Sequence, residues 1–197
     1  LTTRKREAMH NTYKEVSLEQ NSDAWHVWRF EGIGASDAPA ILNCSPFKTA
    51  AALLHQKRNR VRTRMNSVML RGLALEPLAR DAYAEFSGCP MEPLCVESLT
   101  WVWARASLDG ISADRQRMVA IKCGEATYKM ARKGKVPPYY FPQLQHQLMV
   151  TGLKQVDYWC WVRGRKGILL TVARDDAYIE NLREAEERFY VRMTAPD

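Results

Sequence analysis

Two periodicities alternate along this chain. From 69 to 87 apolar residues recur at helical spacing: Leu75, Leu78, Ala79, Ala82 and Phe86 fall on one side of a helix that the pattern predicts over about 65–87, closed by Gly88. Trp25 and Trp28 mark an earlier helix over about 23–31, with Ser22 as N-cap candidate, and Ser17-Leu18-Glu19-Gln20 matches a capping box. Thr49 can cap a helix to about 58. Further helices are predicted over about 125–132, over 141–151 with Pro142 in the first turn and Gly152 at the close, and from Asp175 onward. In that last helix Ile179, Leu182, Phe189 and Met193 face inward.

Between these segments the period changes to two. Residues 93–96, 101–109 and 118–123 read as three strands, the second stopping at Gly110 and the third at Gly124. Residues 156–162 and 167–172 form a further hairpin over Arg163-Gly164-Arg165-Lys166. On the 118–123 strand, Val119, Ile121 and Cys123 share one face, and Ala120 and Lys122 the other. The resulting order is helices, three strands, two helices, two strands and a helix. It predicts an α/β (α+β) fold with a central mixed β-sheet flanked by helices. A length of 197 residues fits a single domain over 1–197, with a polar N-terminal arm over 1–16.

Composition narrows the function. A formal charge of +7 favours a polyanionic partner. The five cysteines and four histidines are scattered, with no C-x-x-C pair. That speaks against a zinc site or a disulfide framework and for a reducing compartment. No apolar run approaches the roughly 18 residues of a membrane span, so a cytoplasmic protein with no membrane association is expected.

Several residues carry candidate chemistry. Paired strands would bring Asp109 and Lys122 to one sheet edge, as metal-dependent phosphodiester nucleases require; the same two residues would also serve as solvated turn charges. Gly32-Ile33-Gly34-Ala35-Ser36-Asp37 offers Ser36 as N-cap of a short helix to about 43, a place that suits phosphate, with Arg29 just upstream. Pro77 predicts a kink that could aim Glu76 inward. Gln143 and Gln147 share a helix face. Five cations fall within 57–64, and Lys129, Arg132, Lys133 and Lys135 form a second cluster. Both could follow a nucleic-acid backbone.

These landmarks, in order, are Arg29 with Gly34-Ala35-Ser36-Asp37, Gly72-Leu73-Ala74-Leu75-Glu76-Pro77, Ser107-Leu108-Asp109-Gly110, Ile121-Lys122-Cys123, and Gln143-Leu144-Gln145 with Val150-Thr151-Gly152. From Trp25 to about Val172 the chain resembles the phage lambda exonuclease and YqaJ-type viral recombinase family, within the PD-(D/E)xK nuclease superfamily. The resemblance implies a restriction-endonuclease-like core and an alkaline-type 5′-to-3′ exonuclease on linear double-stranded DNA. It also implies two Mg²⁺ ions (with Mn²⁺ as a substitute), a homotrimeric ring, and a single-strand annealing protein as partner in phage-type recombination.

Site roles follow from the same resemblance. Asp109 and the Ile121 carbonyl would bind metal. Lys122 would orient or activate water, with Glu76 and Gln143 beside it. Arg29, Ser36 and Ser107 would grip the 5′ phosphate, and Lys48, Arg58, Arg60, Arg62 and Lys133 would touch the DNA backbone. One position departs from the pattern: Ala120 stands where the motif carries its second acid. Its loss should empty or weaken a metal site and abolish or strongly reduce hydrolysis. Because every other landmark is intact, an introduced acid-to-alanine change is favoured over a natural loss. A site-specific endonuclease and a non-catalytic end-binding recombination protein remain alternatives.

Overall fold

Side chains close the ends of the helices much as the local sequence anticipates. In the computed structural model, which describes residues 12–196, Ser22, Thr49, Asn66 and Asp175 each accept a backbone N–H from the first turn of a helix. The helices they cap are α1 (Asp23–Phe30), α3 (Ala50–Arg58), α4 (Ser67–Ser87) and α7 (Asp176–Thr194). Gly88 and Gly152 close α4 and α6 (Phe141–Thr151) at φ of 65° and 72°, the left-handed conformation that glycine adopts without strain. Two short helices, α2 (Ala38–Ile41) and α5 (Glu125–Ala131), bring the α-helices among the described residues to seven.

The strands are β1 (Tyr13–Val16), β2 (Ile33–Gly34), β3 (Met91–Ser98), β4 (Ala104–Ser112), β5 (Met118–Lys122), β6 (Gln155–Cys160) and β7 (Ile168–Ala173). They form one mixed sheet in the order β1-β3-β4-β5-β6-β7, with β2 pairing parallel to the start of β4. Neighbours are antiparallel except β5 and β6, which α5 and α6 connect in parallel. Leu144 and Leu148 of α6 pack with Ala120, Ala106 and Tyr158, whereas Ala79 and Tyr83 of α4 pack with Val119, Ile121 and Trp159. Strand β5 is therefore covered on both faces, as a central strand is.

The structure corrects the sequence reading at several points. Residues 13–16 of the expected polar arm form edge strand β1, paired antiparallel with β3; Lys14 meets Glu97 at 2.7 Å. Residues 1–11 lie outside the described residues. No helix follows the capping-box pattern at 17–20. Ser36 caps nothing: Gly34 begins a 3₁₀ turn, Ala35–Asp37, and Ser36 lies within it. Helix α4 runs unbroken through Pro77. Its buried residues are Ala79 and Tyr83, while Leu78 and Phe86 are 41% and 53% exposed. The register of the contact is set by Tyr83, whose hydroxyl donates to Asp157 of β6.

Strand β4 does not stop at Gly110. Leu94 of β3 faces Leu108 and Glu92 faces Ile111, so Asp109 and Gly110 together oppose Pro93 alone. This is a β-bulge, which turns a side chain out of the normal alternation. Pro93 has no N–H to lose there.

Tight packing at one turn yields a stability prediction. A Cβ on Gly167 would lie 2.0 Å from the Trp159 ring, which is itself only 2% exposed. Gly167→Ala is expected to destabilise the fold by about 1–3 kcal/mol, the usual cost of overpacking. Denaturant unfolding would measure this, and an unchanged midpoint would contradict the packing.

Candidate functional site

Strands β4 and β5 are in register only at Gly110–Val119 and Ile111–Met118, and toward Lys122 they diverge into a fork. Side chains satisfy the backbone groups that the fork leaves open. Oδ2 of Asp109 accepts the Ile121 N–H at 2.7 Å. The Leu108 carbonyl accepts from Gln20 at 3.0 Å, and the Asp109 carbonyl accepts from Nε of Arg80. Lys122 Nζ lies 4.0 Å from the same Asp109 oxygen and 4.9 Å above the Tyr140 ring. Asp109 and Lys122 thus meet as expected, but in the fork between two central strands rather than at a sheet edge.

A cleft of about 140 Å³ opens beside Asp109, lined also by Arg29, Ser36, Ser107, Arg105, Gln143, Gln20 and Trp25. Arg29 Nη2 donates to the Ser36 hydroxyl at 2.7 Å, and its guanidinium stacks 4.7 Å from the Trp25 ring centre. Trp25 Nε1 donates to the Ser107 hydroxyl at 2.8 Å. One small cleft therefore holds two arginines, two hydroxyls and a carboxylate. A larger hollow of about 390 Å³, between α3 and α7, is lined by none of the sequence-selected residues except Arg58.

Beneath Arg29 lies a buried ion pair. Lys57, 5% exposed, meets Asp37 at 2.6 Å and donates to the Arg29 and Gly32 carbonyls at 2.7 Å each. Burial alone would raise the Asp37 carboxyl, but the Lys57 ammonium and Arg29 guanidinium outweigh it and bring it down to about 2. Burial brings Lys57 down as well, despite Asp37. The pair is ionised nonetheless, because three oxygens surround an ammonium with three protons to donate.

At the fork, burial and then the Asp109 carboxylate raise Glu76, against the pull of Arg80 and Lys122. Arg80 Nη2 contacts Glu76 at 2.7 Å. Burial would lower Lys122, but Asp109, followed by Tyr140 and Glu76, outweighs it and the group is raised. Lys122 is therefore an ammonium at neutral pH, able to donate to an oxygen or orient it but not to accept a proton.

The donor set does not fit a pair of magnesium ions. Such ions take several hard oxygen ligands each. Here Asp109 and Glu76 each already face a cation. Ala120 is 0% exposed and packs in the core. Among the described residues no three His, Cys, Asp or Glu side chains gather as a metal site.

The basic run at 57–64 is largely engaged within the protein. Besides Lys57, Arg58 donates to the Ala195 carbonyl, Arg60 lies 3.8 Å from Glu31, and Arg62 lies 2.8 Å from Asp23. Lys48 donates to Gln56. Lys133 is exposed just beyond α5. Neither Gln145 nor Gln147 lines the cleft: Gln145 bonds Ala173 and Asp175, and Gln147 is fully buried.

Sequence reasoning missed four contributors. The i,i+4 spacing of Glu76 and Arg80 on a predicted helix was a readable signal for Arg80. Arg105, 7% exposed with an unpartnered Nε, Trp25 as a stacking surface, and Gln20 as a backbone clamp depend on contacts distant in sequence.

This arrangement belongs to an α/β protein with the fold of an alkaline exonuclease. The exonuclease LHK-Exo of Laribacter hongkongensis superposes with a TM-score of 0.77 at 22% identity, covering 87% of this chain and 92% of that one. The same enzyme in complex with dAMP gives 0.76 at 24% identity over the same shares. A phage-related exonuclease from Haemophilus somnus 129PT gives 0.60 at 13% identity, over 81% of this chain and 93% of that one.

The chain belongs to the YqaJ-like viral recombinase family, whose domain model matches residues 24–154. It is similar to the uncharacterized protein YqaJ of Bacillus subtilis (strain 168), at 25% identity over 87% of this chain and 56% of the relative. It is also similar to protein D345L of African swine fever virus, at 24% identity over 68% of this chain and 47% of the relative. The chain thus spans about half the length of these two relatives.

Asp37→Asn would leave Lys57 buried without its counter-charge and is expected to cost about 3–5 kcal/mol. In the unaltered chain a depressed Asp37 contributes stability above its unfolded value, near 3.8, that is lost as pH falls toward about 2. The variant should lose this component of acid sensitivity, which urea unfolding between pH 5 and 2 would show.

Proposed function

We propose that this chain is a DNA-end-directed nuclease, a magnesium-dependent 5′-to-3′ exonuclease on linear duplex DNA, with hydrolysis abolished or strongly slowed at Ala120. What remains in this form is recognition of the end. In the active form the product is a 3′ single-stranded overhang for recombination by single-strand annealing. The same reading includes a ring-shaped homotrimer and a single-strand annealing partner.

One observation carries the proposal: the Arg29–Ser36 pair shares its cleft with Ser107 and Asp109. A guanidinium fork with two hydroxyls suits a terminal phosphate, and Asp37 and Trp25 hold Arg29 in place at 3.6 Å and 4.7 Å. Such contacts position DNA without reading its bases. Lys122, kept protonated by Asp109, would donate to an oxygen of the adjoining phosphodiester. Glu76 and Gln143 would border that position.

A specific observation also favours the reading as a non-catalytic end-binding protein. Both carboxylates near the fork are matched by cations, Asp109 by Lys122 and Glu76 by Arg80. Returning an acid to position 120 separates the readings. Ala120→Glu is expected to raise Mg²⁺-dependent degradation of linear, 5′-phosphorylated duplex by at least roughly 10²–10³, the scale on which one missing transition-state contact is felt. Closed circular plasmid should stay intact. An inert variant that still binds DNA would favour the non-catalytic protein, and cleavage of the circle would favour an endonuclease.

Arg29→Gln tests the phosphate cleft independently of hydrolysis. Hydrogen bonds to charged groups contribute about 1.5–3 kcal/mol, so preference for 5′-phosphate over 5′-hydroxyl ends should fall by about tenfold or more. Competition binding with the two duplexes reads this directly, and an unchanged preference would remove Arg29 from the cleft's function.

A further inference from the structure

The chain has two basic runs, and the tertiary structure treats them differently. In 57–64, Lys57 is buried against Asp37, Arg60 faces Glu31 and Arg62 faces Asp23. A cation already paired gains less from a phosphate, because an internal contact has to be given up first.

The second run is extended by a segment distant in sequence. Lys129 lies on α5, with Arg132, Lys133 and Lys135 just beyond it; the β6–β7 turn contributes Arg163, Arg165 and Lys166. The two segments pack directly. The Tyr128 hydroxyl donates to the Lys166 carbonyl at 2.8 Å, and the Arg165 guanidinium lies 5.5 Å from the Tyr128 ring centre. All seven cations are exposed. Among the described residues only Arg165 has an acidic partner, Glu125 at 3.0 Å.

One arm of this surface follows β5 and the other leaves β6 beside the end of β5. The Lys122 carbonyl accepts the Trp161 N–H at 3.0 Å as the chain leaves β6, and Gly124 is the N-cap of α5. We infer that α5 and the β6–β7 turn form one phosphate-binding surface, which holds the sugar-phosphate backbone of DNA beyond the Asp109–Lys122 pair. The inference rests on the end-binding reading above and assigns the backbone path to this side rather than to 57–64.

Nucleic acid fits this surface better than a membrane does. An interfacial membrane element needs large apolar side chains beside its cations. Among the described residues, no large exposed hydrophobic lies within 125–135 or 161–168. Lysine and arginine on an open surface instead suit sequence-independent phosphate contact, with its release of counterions.

Salt-dependent anisotropy measurements test the inference, using a blunt 5′-phosphorylated duplex and the corresponding single strand. The triple variant Lys133→Gln/Arg163→Gln/Lys166→Gln is compared with Arg60→Gln/Arg62→Gln. Each backbone contact contributes about 0.9 to the log–log slope on duplex and about 0.7 on single strand. The triple variant should therefore flatten the slope by about 2.7 on duplex if the paired region lies here, or by about 2.1 on single strand if the separated strand does. Preference for the 5′ phosphate should be unchanged, and the double variant should lose less than about one unit of slope.

A triple variant that binds both DNAs with the unaltered slope would overturn the inference while leaving end binding in place. Loss of binding to phosphatidylserine vesicles, with DNA binding unchanged, would also overturn it and assign the surface to a membrane. Failure of the unaltered chain to bind either DNA would remove the end-binding reading and this surface together.

Discussion

The hydrogen bond from the Ile121 N–H to the Asp109 carboxylate holds together the part of the molecule where chemistry can occur. Two central strands that stayed paired throughout would leave no opening between them, and strands that simply separated would strand buried backbone groups. Here the bulge at Asp109–Gly110 turns the carboxylate toward β5, where it replaces a ladder partner. Arg80 then takes the Asp109 carbonyl, and Gln20 the Leu108 carbonyl. The fork is thus a satisfied structure, and its open side forms the cleft.

Charge is distributed on the same principle. Asp37 and Lys57 are buried beneath the cleft, as are His146 and Glu186, which meet at 2.8 Å while His146 Nε2 contacts the Arg105 carbonyl at 3.0 Å. Buried ion pairs contribute little net stability, because desolvation offsets their attraction. Their effect is to fix positions. Asp37 sets Arg29 in place, and His146 ties β4 to α7 behind Arg105. The arginine and the two hydroxyls therefore meet in one cleft although they come from α1, a 3₁₀ turn and β4.

Ala120 gives this arrangement its particular character. Its methyl group is enclosed in the core next to a lysine and an aspartate that are matched in charge. The cleft holds arginines and hydroxyls beside an Asp–Lys pair, and both carboxylates near the fork are matched by cations. On the proposed reading, recognition would depend on Arg29 and its supports and hydrolysis on the carboxylates.

The chain's periodicities by themselves determined most of the elements: α1, α3, α6, α7, the strands around 118–122, 155–160 and 168–173, and the inward residues of α7. Those segments are long or strongly patterned, and local caps and glycines end them. The convergence of Asp109 and Lys122 was also legible, because adjacent strands joined by a short turn have few ways to pair. Tertiary structure decided what depends on distant partners. It made residues 13–16 an edge strand, placed Ser36 inside a turn against Arg29, and chose Tyr83 over Phe86 as the anchor of α4. It also sorted the cations, burying Lys57, matching Arg60 and Arg62 with acids, and leaving Lys133 and Arg163 open. A lysine's charge is written in the sequence, but whether an acid stands beside it depends on which segments the fold brings together.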